Sequence, residues 1–160
     1  MAQREQVNRI TPSVLDRLLD DAPNEVVDPP GKFSEDFERF KSAVRRDLET
    51  LLNTRRESLD RLDAFPESQA SILTYGLPDF TSMSSQSETD RTSIRDTVTR
   101  TIAVFEPRLM NVHVTLSASE DSRQQLAFRV DALLRVDPVP AAVTFDAVLQ
   151  LSTQQYQVKL

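Results

Sequence analysis

The residues with the most chemical potential in this chain are Glu106 and Arg108, an acid and a base held one proline apart in Phe105-Glu106-Pro107-Arg108-Leu109. The hydrophobic period changes there. Ile94, Val98, Ile102 and Phe105 recur at helical spacing before it. Met110, Val112, Val114 and Leu116 alternate with Asn111, His113 and Thr115 after it, which is the period of a half-buried strand. Pro107 stops the helix, because it donates nothing to a helical ladder and pushes the preceding residue towards extended geometry. Arg108 suits the negative end of a helix dipole, and Glu106 does not. An acid so placed needs a specific partner. The other reading is an exposed helix terminus with a local Glu–Arg pair contributing roughly 0–1 kcal/mol. Glu106 could also serve as one of the two carboxylates of a glycosidase, which stand roughly 5–10 Å apart across a sugar cleft. No second acid has a privileged position, and with no Trp and 2 Tyr the chain is poor in aromatics to line such a cleft.

The rest of the chemical inventory is thin. The one histidine, His113, sits on the polar side of an alternating strand, where a solvated side chain is expected. The absence of Cys removes disulfides, thiol nucleophiles and cysteine metal sites, and it fits a reducing compartment. With 2 Gly, Gly31 and Gly76, neither a P-loop nor a GxGxxG nucleotide fold can be built. A net charge of −6 argues against general binding to nucleic acid or to acidic membranes. The N-terminus is polar, without the apolar core of a signal peptide, and no apolar run approaches membrane-spanning length. A soluble cytoplasmic protein is expected, with no cofactor, metal or small-molecule substrate.

The elements that must position the junction follow from periodicity. At 160 residues the chain has the size of one domain with an arm. Residues 1–32 read as that arm: Thr11 as N-cap and Pro12 at the first helical position start a short helix with Val14, Leu15, Leu18 and Leu19 on one side. A helix so short is marginal alone, so its stripe is expected to dock on the domain or on a partner. An extended linker over residues 24–32 follows. Residues 33–160 read as an α+β domain. Its first long helix begins near Ser34 and buries Phe37, Phe40, Val44, Leu48, Leu51 and Leu52. Arg45, Arg46, Arg55 and Arg56 gather towards its end, either as solvated charges at a helix C-terminus or as a docking patch for an acidic protein surface. Residues 72–80, with Gly76 and Pro78, form an apolar loop that covers one end of the core, and residues 81–87 read as a flexible link. A second long helix spans residues 89–105.

Beyond the junction the pattern is all strand: residues 109–116, then Leu126 to Val136, then Val143 to Leu151, with a short fourth strand at Tyr156, Val158 and Leu160. Two main helices and the short N-terminal one would pack on one face of this three- to four-stranded, mainly antiparallel sheet. A C-terminal hairpin at a sheet edge offers unpaired backbone groups to another chain. Lys159, Gln154, Gln155 and Gln157 either blunt that edge or leave it for strand addition to a partner.

Four segments together resemble a known family. They are Leu15-Asp16-Arg17-Leu18, the run from Arg45 to Arg56, Tyr75-Gly76-Leu77-Pro78-Asp79, and Phe105-Glu106-Pro107-Arg108-Leu109. In this order and spacing they resemble TssE, the family of baseplate subunits of bacterial type VI secretion systems, related to the phage baseplate wedge protein once called a tail lysozyme. The resemblance implies a structural protein acting by interfaces. Its expected partners are the wedge subunits TssF, TssG and TssK and the contractile TssB–TssC sheath, at the cytoplasmic face of the inner membrane. It assigns Glu106, Pro107 and Arg108 to docking on the wedge core, with Glu106 and Arg108 paired to a wedge subunit. Glu106→Ala is then expected to fold normally and abolish assembly. It also implies that the C-terminal strands, with Phe145, Leu149, Tyr156 and Val158, present an edge to the first sheath ring. The alternative is a peptidoglycan hydrolase acting through Glu106, as the old phage name suggests.

Overall fold

Apolar residues at spacings of three and four make the first long helix amphipathic, and the computed structural model forms it over Phe33–Asn53 (α2), after a short helix at Val14–Leu18 (α1). The structure describes residues 10, 13–18, 33–57, 64–84, 86–118, 125–150 and 155–159. Helix α2 starts one residue before the expected N-cap, so Ser34 lies inside its first turn. The second long helix, Glu88–Phe105 (α3), is capped by Ser87, whose hydroxyl accepts from the Asp90 N–H at 3.3 Å. Glu88 and Asp90 in its first turn suit the dipole. Residues 81–87, read as a flexible link, thus carry the cap, and Ser84 N–H also donates to Asp90 Oδ2 at 2.9 Å.

Four strands follow: Leu109–Ala118 (β1), Gln125–Leu134 (β2), Ala141–Gln150 (β3) and Gln155–Lys159 (β4). They pair antiparallel in the order β1-β2-β3-β4, the expected α+β meander. One sheet face meets both long helices. Phe40, Val44 and Leu48 of α2 and Ile94, Val98 and Ile102 of α3 share a core with Phe128, Val130, Leu134, Phe145, Tyr156 and Val158. Phe145 is 0% exposed at its centre, and burying such a side chain contributes about 1.5–3 kcal/mol.

The first strand departs from simple alternation. Leu109 is buried opposite Leu134, so Met110 lies on the other face, opposite Leu133. The register then slips by one residue between Met110 and His113, where Asn111 takes a positive φ of 52°. This bulge returns Val112, Val114 and Leu116 to the core face. The expected grouping of Met110 with those residues is corrected.

The loop before α3 is stitched to the chain after α2. Leu77 N–H donates to Thr54 O at 2.8 Å, and Arg56 N–H donates to Leu77 O at 3.0 Å. Gly76 sits in that contact with φ of 99°, where a Cβ would lie 2.3 Å from Thr54 O. Leu77 and Phe80 cover the end of the core as expected, whereas Ile72 is 88% exposed. In the arm, Val14, Leu15 and Leu18 are exposed. The N-cap Thr11, Leu19, the linker and Leu160 lie outside the described residues.

Candidate docking site at the helix–strand junction

Helix α3 ends on Glu106, whose N–H donates to Ile102 O at 2.9 Å while its carbonyl accepts from Leu109 N–H at 3.0 Å. The chain therefore turns within three residues, and Pro107 stands exposed at the tip. Beneath it the Glu106 side chain turns inward, leaving the residue 4% exposed. Both of its oxygens are taken by Arg108: Nε donates to Oε1 and Nη2 to Oε2, each at 2.6 Å. Nη2 also donates to Asp47 Oδ2 on α2 at 2.7 Å. Arg46 holds the other Asp47 oxygen through Nε at 3.1 Å and Nη2 at 3.0 Å. The Arg108 guanidinium lies 5.9 Å from the centre of the Phe40 ring. Its carbonyl accepts from Arg135 N–H at 2.8 Å, fastening the turn to the end of β2.

The electrostatics match this closure. Burial works against the Arg108 charge, but the hydrogen bonds and charge of Glu106, then of Asp47, outweigh it and raise its pKa. Tyr75 stands beside the end of α3, its ring edge-on to Phe105 at 5.3 Å. Its pKa is raised, first by burial and then by the charges of Asp47 and Glu106. The partner that Glu106 needs is in its own chain, and the pair is buried instead of lying at an exposed terminus. Both Glu106 oxygens are occupied and the carboxylate has almost no access to solvent, which suits a brace and leaves no opening for a sugar.

Of the four arginines read as solvated charges or a docking patch, Arg45 and Arg46 lie on α2. Helix α2 ends at Asn53, so Arg55 and Arg56 lie beyond it, where Arg55 bridges to Leu77. Arg46 faces Asp47, while Arg45 is tied by Nη1 to Glu49 Oε2 at 3.1 Å and to Val158 O at 3.2 Å. Two of the four thus serve internal contacts.

The four residues expected to present a C-terminal edge fall on β3 and β4. Phe145 and Leu149 lie on β3, an interior strand paired on both sides. The Tyr156 and Val158 side chains are buried in the core. The edge of β4 is covered by α2: Asn53 Oδ1 accepts from Tyr156 N–H at 2.8 Å and Nδ2 donates to Tyr156 O at 3.0 Å, with Arg45 on the Val158 carbonyl. A side-chain amide that gives one donor and one acceptor stands in for a neighbouring strand.

A family model described as baseplate wedge protein gp25 matches residues 38–139. This chain belongs to that family. It is the family that TssE belongs to, so the expected resemblance holds. No curated protein matches the chain. For the gp25 family the match gives a structural role in a phage-tail-like baseplate. The matched segment runs from α2 through the junction and β2, and it ends before β3. Asp47 and Asn53, which the gp25-like chain uses to fasten the junction and the sheet edge, were not among the expected site residues. Asp47 had a signal: it stands seven residues after Phe40 and three after Val44, on the apolar face of α2. An acid on such a face needs a cation across from it.

Proposed function

We propose that this chain is the TssE-type baseplate subunit of a bacterial type VI secretion system. In this reading it docks on a wedge of TssF, TssG and TssK at the cytoplasmic face of the inner membrane, and it initiates the TssB–TssC sheath. The observation that carries the reading is the braced junction, which lies inside the span matched by the gp25 family. Glu106, Arg108 and Asp47 hold one another beneath an exposed Pro107, so the turn is offered to a partner in a fixed shape. Fixing a docking element before it binds lowers the ordering cost of association. The contact with the first sheath ring falls to the sheet, as the resemblance implies.

Co-purification with TssF and TssG from the same operon tests this. Wild type is expected to be retained, and Pro107→Ala, which changes an exposed side chain and should cost less than about 1 kcal/mol of stability, is expected to be retained less while still folded. Loss of wild type from the complex would overturn the assembly reading. Full retention of Pro107→Ala would move the wedge contact away from the turn.

A further inference from the structure

Between the first turns of α3 and the middle of β1 runs a groove of about 180 Å³. From the helix it is lined by Glu88, Arg91, Thr92 and Arg95, the spacing of one helical face. From the strand, Val114 and Leu116 give it an apolar lining. A groove of that size has room for more than one water, whose share of liquid volume is about 30 Å³.

The charges in the groove are unevenly matched. Arg91 Nε is shut off from solvent and bonds nothing among the described residues. A buried donor of this kind calls for an acceptor. Glu88 is a poor one. Its Oε2 stands 3.7 Å from Arg91 Nη2, beyond the roughly 2.7–2.9 Å of a charge-assisted hydrogen bond, and its side chain is 83% exposed. Arg95 is steadied instead by Asp96, whose Oδ1 accepts from Nε at 2.9 Å and lies 2.8 Å from Nη2. Two guanidinium groups one helical turn apart thus line one groove, with a buried donor still unmatched.

We propose that this groove binds a free tetrahedral oxyanion of the phosphate class, held by Arg91 and Arg95 with the Thr92 hydroxyl beside them. A planar guanidinium matches two phosphate oxygens at once, and a tetrahedral ion has oxygens left for a second arginine. The apolar lining strengthens such bonds by lowering the local dielectric. Glu88 has to swing aside, which its exposure permits. The lining holds no Phe, Tyr or Trp on which a nucleotide base could stack, so the ligand is the free ion. The proposal stands on α3 and β1 alone, whichever tail-like machine the chain serves. Its failure is therefore separable from failure of co-purification with TssF and TssG.

The probe is inorganic phosphate, titrated into the full chain against chloride at matched ionic strength. Arginine Nε–H and backbone amide shifts are followed by heteronuclear NMR. Saturable shifts at the Arg91 Nε–H and within residues 88–95 and 113–116 are expected with phosphate and not with chloride. The melting temperature should rise with phosphate, since a ligand of the folded state stabilises it. Arg91→Lys keeps the charge but loses Nε and the planar fork, and should weaken binding by roughly tenfold or more. Arg95→Gln, at a half-exposed position, should stay folded and weaken binding roughly two- to fivefold. Glu88→Gln should tighten binding by a similar factor, because it removes the competing carboxylate. ADP should bind no more tightly than phosphate. No saturable response, an equal response to chloride, shifts confined to other residues, or wild-type affinity in both arginine variants would overturn the proposal. Clearly tighter binding of ADP would overturn the assignment to a free ion.

Discussion

The pair Glu106–Arg108 shows how far two residues can set a local shape. An acid at a helix C-terminus is unfavourable alone, yet here the cation that offsets it sits two residues on, bonded through two nitrogens and shared with Asp47. The expectation that Glu106→Ala folds like wild type is therefore revised. Losing the carboxylate takes both Glu106 bonds from the partly buried Arg108, which should cost about 2–3 kcal/mol in urea unfolding. Combining it with Arg108→Ala should cost less than the sum of the two single changes, because one interaction is removed twice. Assembly assays on Glu106→Ala must therefore be read beside its melting curve.

At the scale of elements, α2 does two jobs with two faces. One face carries Phe40, Val44 and Leu48 into the core with Asp47 beside them, and another carries Arg45, Glu49 and Asn53 at four-residue spacing along the edge of β4. Asn53→Ala should cost about 1–2 kcal/mol by removing both bonds to Tyr156. It should also speed exchange of the Tyr156 amide in native-state hydrogen exchange, with the core amides of β2 following only the global loss. An unchanged Tyr156 amide would show that the edge is covered by something other than Asn53.

For the whole molecule, the core decides which changes can report on partners. Phe145 is fully buried between the sheet and the helices, so Phe145→Ala should cost about 3–5 kcal/mol against a typical total of roughly 5–15 kcal/mol. A circular-dichroism melt is expected to show broad destabilisation and no selective loss of one contact. Tyr156 adds a pH dependence. Burial raises its pKa well above the ordinary 10.0, against a smaller lowering effect of Arg55, and Tyr75 is raised too. The folded state then keeps protons that the unfolded chain releases near pH 10, so stability is full below that pH and falls as pH rises above it. Tyr156→Phe should flatten this alkaline slope. It should leave stability at neutral pH equal or slightly higher, because the Tyr156 hydroxyl is buried with no partner among the described residues.

What the sequence determined by itself is what depends on neighbours along the chain. The periods of α2, α3 and the four strands are local steric and hydrophobic patterns, and Pro107 stops the helix that runs into it. The α+β order and the place of the junction were legible for that reason, as was the family from its ordered segments. The tertiary structure decided which polar groups meet. Arg108 reaches Asp47 across 61 residues and Asn53 reaches Tyr156 across 103, separations that leave no periodic trace. The bulge at Asn111 was hidden too, since one inserted residue changes which side chains face the core without changing the composition of the strand. Whether the edge of β4 is blunted or open left no trace in the sequence, because Asn53, which bonds it, stands 103 residues earlier in the chain.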